Sequence, residues 1–308
     1  MFSSSFRVPE PTEPPEAVAP PTFSILIPAY EAAATVADAV ASALSQTRPA
    51  EVIVCDDGST DDLEGALAPF RDRIHFIRKN NGGGASALNA AAHAATGDFV
   101  AILDADDVYD ARRIEALAEL ATARPDLDIV TTDAYLESGG EIVDRFNRAT
   151  PFAVKDQRVA ILRSCFVGGW PAVRRARVLA ANGWDESFRI AYDWDRWLRL
   201  ILDGARAGLV DEPLMSYRLH GSLTASRVES LQERVRLLEK ALVHPSLTRR
   251  ESRVLRASIR WQRSRLLREV SRAVESGRRW GRAGVLAAQG RELVARARFA
   301  SAGRWGSI

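Results

Sequence analysis

Three carboxylates stand within four residues at the end of an apolar run, in Ala101-Ile-Leu-Asp104-Ala-Asp106-Asp107-Val-Tyr109. Like charges this close repel, and burying them is costly unless something compensates. Hard divalent cations such as Mg²⁺ and Mn²⁺ prefer oxygen ligands, and Mg²⁺ commonly takes one or two carboxylates plus substrate phosphates. An Asp104-x-Asp106 spacing on a strand end points both carboxylates toward one face. Asp107 can instead cap the helix that runs into Arg112–Leu120. Plain capping and turn formation would also account for all three acids. A second acidic turn, Asp56-Asp57-Gly58-Ser59, ends another apolar run, Glu51-Val-Ile-Val-Cys55. Asp, Gly and Ser favour turns by themselves. A carboxylate in such a turn can also accept hydrogen bonds from the N–H donors of a nucleobase.

These turns need elements to carry them. Phe23–Ile27 reads as a short strand stopped by Pro28. A helical pattern follows from Ala32 to about Gln46, with Val36, Val40, Ala43 and Leu44 on one face. Strand Glu51–Cys55, a helix near Asp62–Phe70 and strand Ile74–Ile77 come next. An Ala-rich helix over 85–95 precedes strand Asp98–Leu103. A helix over Arg112–Arg124 and a strand over Asp128–Tyr135 follow. Gly168-Gly-Trp-Pro171 reads as a loop, Asp193–Leu202 as a helix, and Ala207–Val210 as the start of a strand. Alternating strands and helices predict an α/β fold with a mostly parallel sheet flanked by helices. Ligands then bind beyond the carboxyl ends of the strands, where Pro28–Glu31, Asp56–Ser59 and Asp104–Asp107 lie.

At this point a resemblance is evident. FSILIPAYEAAATVADAVASALSQTRPAEVIVCDDGSTDD and NNGGGASALNAAAHAATGDFVAILDADD resemble family 2 glycosyltransferases of the GT-A, Rossmann-like fold. The similarity runs from about Phe23 to about Ala225. It implies an inverting glycosyltransferase that uses a divalent metal (Mn²⁺ or Mg²⁺) and a nucleotide sugar, UDP-linked. It implies that Pro28, Ala29, Tyr30 and Glu31 contact base and ribose, and that Asp57 reads the base. Asp104 would lie near ribose and metal, and Asp106 would bind the metal that bridges the diphosphate. Asn81, Gly83 and Asn89 match the family's NxG...N element beside the nucleotide. Leu88 stands where many members carry an Arg, so any contact of that Arg is missing here.

In Tyr192-Asp193-Trp-Asp-Arg-Trp-Leu198, Tyr192 replaces a frequent Glu, but Asp193 remains. The resemblance makes Asp193 the general base toward the acceptor hydroxyl; helix capping is the bland alternative. Asp195 is a weaker rival, because two residues along a helix it faces elsewhere. Trp194 and Trp197 are core residues or an acceptor-sugar platform. Tyr217-Arg218-Leu219-His220 resembles the family's YRxH segment. His220 would ligate the metal or touch the diphosphate, and Arg218 would offset phosphate charge. His75, His93 and His244 read as structural or surface residues.

The 308 residues suffice for one large domain with an appendage. Residues 1–22, rich in Pro, Glu and Ser, read as a disordered leader, 23–225 as the catalytic domain and 226–308 as a helical basic extension. From Ser226 onward roughly 20 Lys/Arg stand against about 7 Asp/Glu, so the tail is strongly basic and the body acidic. Its stripes are Val228, Leu231, Val235, Leu238 and Leu242, then Leu255, Ile259, Leu266, Val270 and Ala273. Three readings stay open: helices packed on the acidic body, peripheral association with anionic membrane, or nucleic-acid binding, the least expected. No apolar h-region or spanning run is evident. Cys55 and Cys165 lie far apart with no zinc spacing. A cytoplasmic enzyme fits, soluble or peripheral at the inner face of the membrane. The expected acceptor is a hydroxyl of a sugar, lipid-linked sugar or protein, in cell-surface polysaccharide or glycoconjugate synthesis. A sugar nucleotidyltransferase is the alternative enzyme. The missing G-x-G-x-x-G after the first strand argues against a dinucleotide oxidoreductase.

Overall fold

The computed structural model describes residues 6–10, 20–219 and 227–275. Among them, ten strands join one mixed sheet. In chain order these are β1 (Phe6–Arg7), β2 (Phe23–Ala29), β3 (Glu51–Asp56), β4 (His75–Arg78) and β5 (Phe99–Ile102), then β6 (Val108–Tyr109), β7 (Ile129–Ser138), β8 (Glu141–Arg145), β9 (Ala172–Arg174) and β10 (Ala207–Arg218). The sheet order is β1-β10-β7-β9-β5-β2-β3-β4, with β6 on β10 and β8 on β7. Strands β5, β2, β3 and β4 run parallel. Strand β9 is inserted antiparallel between β5 and β7, so the second half of the sheet is mixed.

The helices cover both faces: α1 (Val36–Leu44), α2 (Leu63–Leu67), α3 (Gly84–Ala94), α4 (Arg113–Ala123), α5 (Phe146–Ala149), α6 (Gln157–Ile161), α7 (Arg175–Ala180) and α8 (Tyr192–Leu202). The central strands β2, β3 and β5 are largely apolar on both faces because each is covered on both sides. Alternate residues of β2 feed different cores: Leu26 packs with α3, while Ile25 and Ile27 pack with α1 and α4. On α1, Val36, Val40 and Ala43 are buried as the periodicity predicts, whereas Leu44 is only half-buried.

Two sequence readings change. Pro28 does not stop β2, which continues to Ala29. Pairing with β5 ends at Leu26, whose carbonyl accepts the Leu103 N–H. Two residues on, Pro28 turns to that same side, where no ladder is left to miss its N–H. Second, a strand forms within the stretch read as a disordered leader. Phe6 and Arg7 pair antiparallel with Val210 and Leu209, and Arg7 reaches Asp211 at 2.6 Å.

The basic extension contributes α9 (Arg227–Ala241) and α10 (Arg249–Glu275). Their stripes face the body: Leu237, Leu238, Ala241, Leu255 and Ile259 join the same core as α8. Helix α10 opens with a reciprocal cap. Thr248 N–H donates to Glu251 at 2.8 Å, and Glu251 N–H donates to the Thr248 hydroxyl at 3.2 Å. Arg158 of α6 grips the same Glu251 at 2.6 Å. Further along the second stripe, Leu266 and Val270 are half-buried.

Candidate active site

A cleft of about 620 Å³ opens at the carboxyl ends of β2, β3 and β5. Pro28, Ala29, Tyr30 and Glu31 line it from β2, Asp57 from β3, and Asp104, Ala105 and Asp106 from β5. Asn81, Gly83, Gly84 and Ala87 come from the loop before α3 and its first turn. Three segments far apart in sequence thus meet because parallel strands deliver their loops to one end of a sheet.

The Asp57 carboxylate is almost fully used by the chain itself. It accepts Lys79 Nζ at 2.7 Å, Gly82 N–H at 3.0 Å and Gly83 N–H at 2.6 Å. It therefore fixes the loop that enters α3. The neighbouring Asp56 is fully buried and accepts the Ser59 N–H at 2.8 Å, closing the turn. Gly58 has φ +79°, and a Cβ there would meet the Asn81 amide nitrogen at 2.8 Å. Only glycine fits this close approach. Glu31 adopts φ 51° and accepts the Thr60 N–H and hydroxyl at 2.8 and 2.9 Å. Tyr30 is exposed beside it.

The acids after β5 divide by environment. Burial pushes the Asp104 carboxyl up to about 7, helped by the charges of Asp106 and Asp193. Asp107 is buried and accepts the Arg218 N–H at 2.8 Å. Burial and then the charge of Asp104 push it to about 9. It is a strut between β5 and β10. Among the described residues, no group of three or more His, Cys, Asp and Glu side chains forms a ready cation cage. Asp104 and Asp106 still suit a hard cation that takes its other ligands from a phosphate. The crowding that raises Asp104 is relieved by such a charge.

Asp193 starts α8 close enough to raise Asp104. Its Oδ1 accepts the Trp194 N–H at 2.6 Å, and a Cβ on Gly169 would lie 3.5 Å from its Oδ2. Packing around it desolvates the carboxyl and pushes it up to about 6. Tyr192 lines the cleft, and a Cβ on Gly84 would meet its hydroxyl at 2.9 Å. Asp195 points elsewhere, into ion pairs with Arg199 (2.7 Å) and Lys240 (3.0 Å). Trp194 and Trp197 are core: their indole N–H groups donate to the carbonyls of Ile161 and Gly168.

Other expected site residues fall differently. Asn89 is not at the cleft. It binds the Trp184 backbone and Glu186, tying α3 to the segment before α8. The Arg218 guanidinium pairs with Asp38 (3.4 Å) and Glu137 (3.9 Å) and is not among the residues that line the cleft. His220 lies outside the described residues. Sequence reasoning missed Arg189, Thr35 and Ala32, which also line the cleft. It also missed Arg113, fully buried behind the acids and stacked 4.4 Å over the Tyr109 ring.

A sheet of this order with an acidic cleft at its strand ends defines an α/β enzyme of the GT-A type. The chain belongs to glycosyl transferase family 2, whose profile matches residues 24–179, and it is a glycosyltransferase. The putative teichuronic acid biosynthesis glycosyltransferase TuaG of Bacillus subtilis is 30% identical over 65% of this chain and 79% of its own. Two solved structures share the fold. TarS of S. aureus, in complex with UDP, superposes with TM-score 0.61 at 18% identity, covering 77% of this chain and 70% of its own. The mannosyltransferase PcManGT of Pyrobaculum calidifontis, with GDP-Man and Mn²⁺, gives TM-score 0.60 at 21% identity over 91% and 82%. The profile match ends before α8, so Asp193 and both C-terminal helices lie beyond it.

Proposed function

We propose that the chain transfers a sugar from a UDP-linked nucleotide sugar to a hydroxyl acceptor, with inversion, in the synthesis of a cell-surface polysaccharide or glycoconjugate. One observation carries this reading. Asp104, Asp106 and the Asp57-held Gly83 loop converge on a single cleft, and Asp193 follows the cleft-lining Tyr192, near enough for its charge to raise Asp104. The naming of TuaG for teichuronic acid biosynthesis and the UDP complex of TarS support the reading, and PcManGT with GDP-Man and Mn²⁺ supports a nucleotide sugar and a divalent metal.

Tyr30, Glu31 and the loop held by Asp57 receive the nucleoside. Asp104 and Asp106 would hold a divalent cation, which supplies charge neutralisation for the departing diphosphate. Asp193 takes the proton of the acceptor hydroxyl as its oxygen attacks the anomeric carbon and the bond to the diphosphate breaks. Its raised carboxyl is matched to that task, being a stronger base than an ordinary aspartate.

The acceptor is a sugar, a lipid-linked sugar or a protein hydroxyl. Residues 23–225 carry the chemistry and the basic extension adds a surface that associates with anionic membrane at the cytoplasmic face. Exposed Arg253, Arg256 and Arg260 and the half-exposed ring of Trp261 (52%) support this placement. Among the described residues no helix is long and apolar enough to cross a membrane. The deciding experiment incubates the full chain with a panel of UDP- and GDP-sugars, Mn²⁺ or Mg²⁺, and candidate acceptors. Release of UDP that depends on acceptor is expected; no release of either nucleotide with any donor would overturn the reading.

A further inference from the structure

We infer that helix α9 completes the donor site: it fixes residues 185–191 so that Arg189 binds the donor diphosphate and α8 begins where Asp193 is needed. This rests on the nucleotide-sugar reading above. The Glu233 carboxylate accepts three successive backbone N–H groups, those of Arg189 (2.9 Å), Ile190 (2.8 Å) and Ala191 (2.9 Å). Lys240, two turns on, donates to Asp185 at 2.6 Å and to Asp195 at 3.0 Å. Between them Arg236 donates to the Ser187 carbonyl and stacks 4.3 Å over Phe188. Positions 233, 236 and 240 recur at helical spacing, so one face of α9 makes all these contacts.

Outside α9 the segment is held by Asn89 on Glu186 and by the burial of Phe188 and Ala191. Ala191, the residue before α8, provides no side-chain cap. The start of a helix leaves N–H groups unpaired and favours a negative charge. Glu233 supplies that charge from a different helix.

Arg189 follows directly from this hold. Its backbone is pinned by Glu233, and the residue lines the same cleft as Glu31, Asp104 and Asp106. It is the one Lys or Arg among the described lining residues. Its guanidinium makes no ion pair with another described residue. A planar, permanently charged group at the rim of an acidic cleft is suited to two phosphate oxygens at once. Electrostatic help to a departing diphosphate is worth most when the donor is held rigid beforehand.

The test is calorimetric binding of UDP and of uridine to the full chain with Mn²⁺. Arg189→Ala should weaken UDP about tenfold or more, the usual range for a lost charge-assisted hydrogen bond, and leave uridine unchanged. Glu233→Ala should reproduce that UDP-selective loss, and Glu233→Gln should recover part of it. The double variant should bind UDP no worse than Arg189→Ala. With donor and acceptor, Glu233→Ala should also lower kcat. Three results would overturn the inference: UDP affinity unchanged in Arg189→Ala, UDP affinity unchanged in Glu233→Ala, or equal weakening of UDP and uridine. If the unaltered chain binds neither UDP nor GDP, the donor reading itself fails and this inference falls with it.

Discussion

The Asp57 carboxylate accepts the Gly83 N–H at 2.6 Å and so ties the end of β3 to the first turn of α3. Lys79 and Gly82 take up the rest of its acceptor capacity. Asp57→Asn should therefore act on the loop. Losing charged hydrogen bonds typically costs about 1.5–3 kcal/mol each, so a lowered melting temperature is expected. UDP and GDP should weaken to a similar extent. A loss confined to UDP would instead assign Asp57 to direct reading of the base.

Asp106→Ala should abolish metal-dependent nucleotide binding without unfolding the chain. Asp106 is half-buried on the cleft wall, so its truncation leaves the strand core intact. Calorimetric titration of UDP with and without Mn²⁺ decides the matter. A metal-dependent gain in affinity equal to that of the parent would remove Asp106 from the ligand set.

Asp193→Asn should keep donor binding and lower turnover by about 10²–10⁴-fold, the usual worth of a general base. The pH profile gives an independent check. Burial pushes this carboxyl up to about 6, and the base works only when deprotonated. Activity should be present above about pH 6 and fall away as the pH drops through it. The Asn variant should lack that acid limb. Wild-type transfer rates in the variant would leave Asp193 as a helix cap.

Acid should loosen the C-terminal helices before the sheet. The Arg158 hydrogen bond, against some burial cost, lowers Glu251 from 4.5 to about 2. Asp185 falls from 3.8 to about 2 because its bonds to Lys240 and Ser187 outweigh its burial. A depressed carboxyl stabilises the fold fully above its unfolded value and ceases to do so as pH falls through its folded value. Hydrogen-exchange protection across 227–272, taken relative to the intrinsic rate at each pH, should therefore fall between about pH 4.5 and about 2. Glu251→Gln should already exchange faster at neutral pH and respond less to acid. Equal exchange in both proteins would show that this bond does not hold α10.

The full chain should sediment with anionic vesicles at low salt and not with neutral ones. Reversing Arg253, Arg256 and Arg260 to Glu should release it. Cutting near Ala225 would not be a clean test, because Leu237, Leu238, Leu255 and Ile259 belong to the core. Failure of the unaltered chain to bind anionic vesicles would confine the basic helices to packing.

Much of the fold was legible because its signals are local. Apolar runs such as Val52–Val54 end in acidic turns, and both facts can be seen within ten residues. The cleft acids followed from the rule that parallel strands present loops at one end. What stayed hidden depends on distant partners. Arg189 looks like any surface arginine until Glu233 is seen to hold its backbone. Asn89 matched a familiar spacing, yet its amide faces Trp184, 95 residues away. Pro28 breaks strands on average, and only the early end of β5 shows why it does not here.

Strand β10 has a free flank on the side away from β7, and two short pieces occupy it. Strand β1 covers Leu209 and Val210, and β6 covers Met215 and Ser216. An unprotected strand of this length is a template for another copy of the chain. Phe6 and Arg7 therefore occupy an edge on which another copy would otherwise pair. Deleting residues 1–10 should leave catalysis intact and make the protein prone to aggregate, so a fusion partner or purification tag belongs before Phe6 and not in place of it.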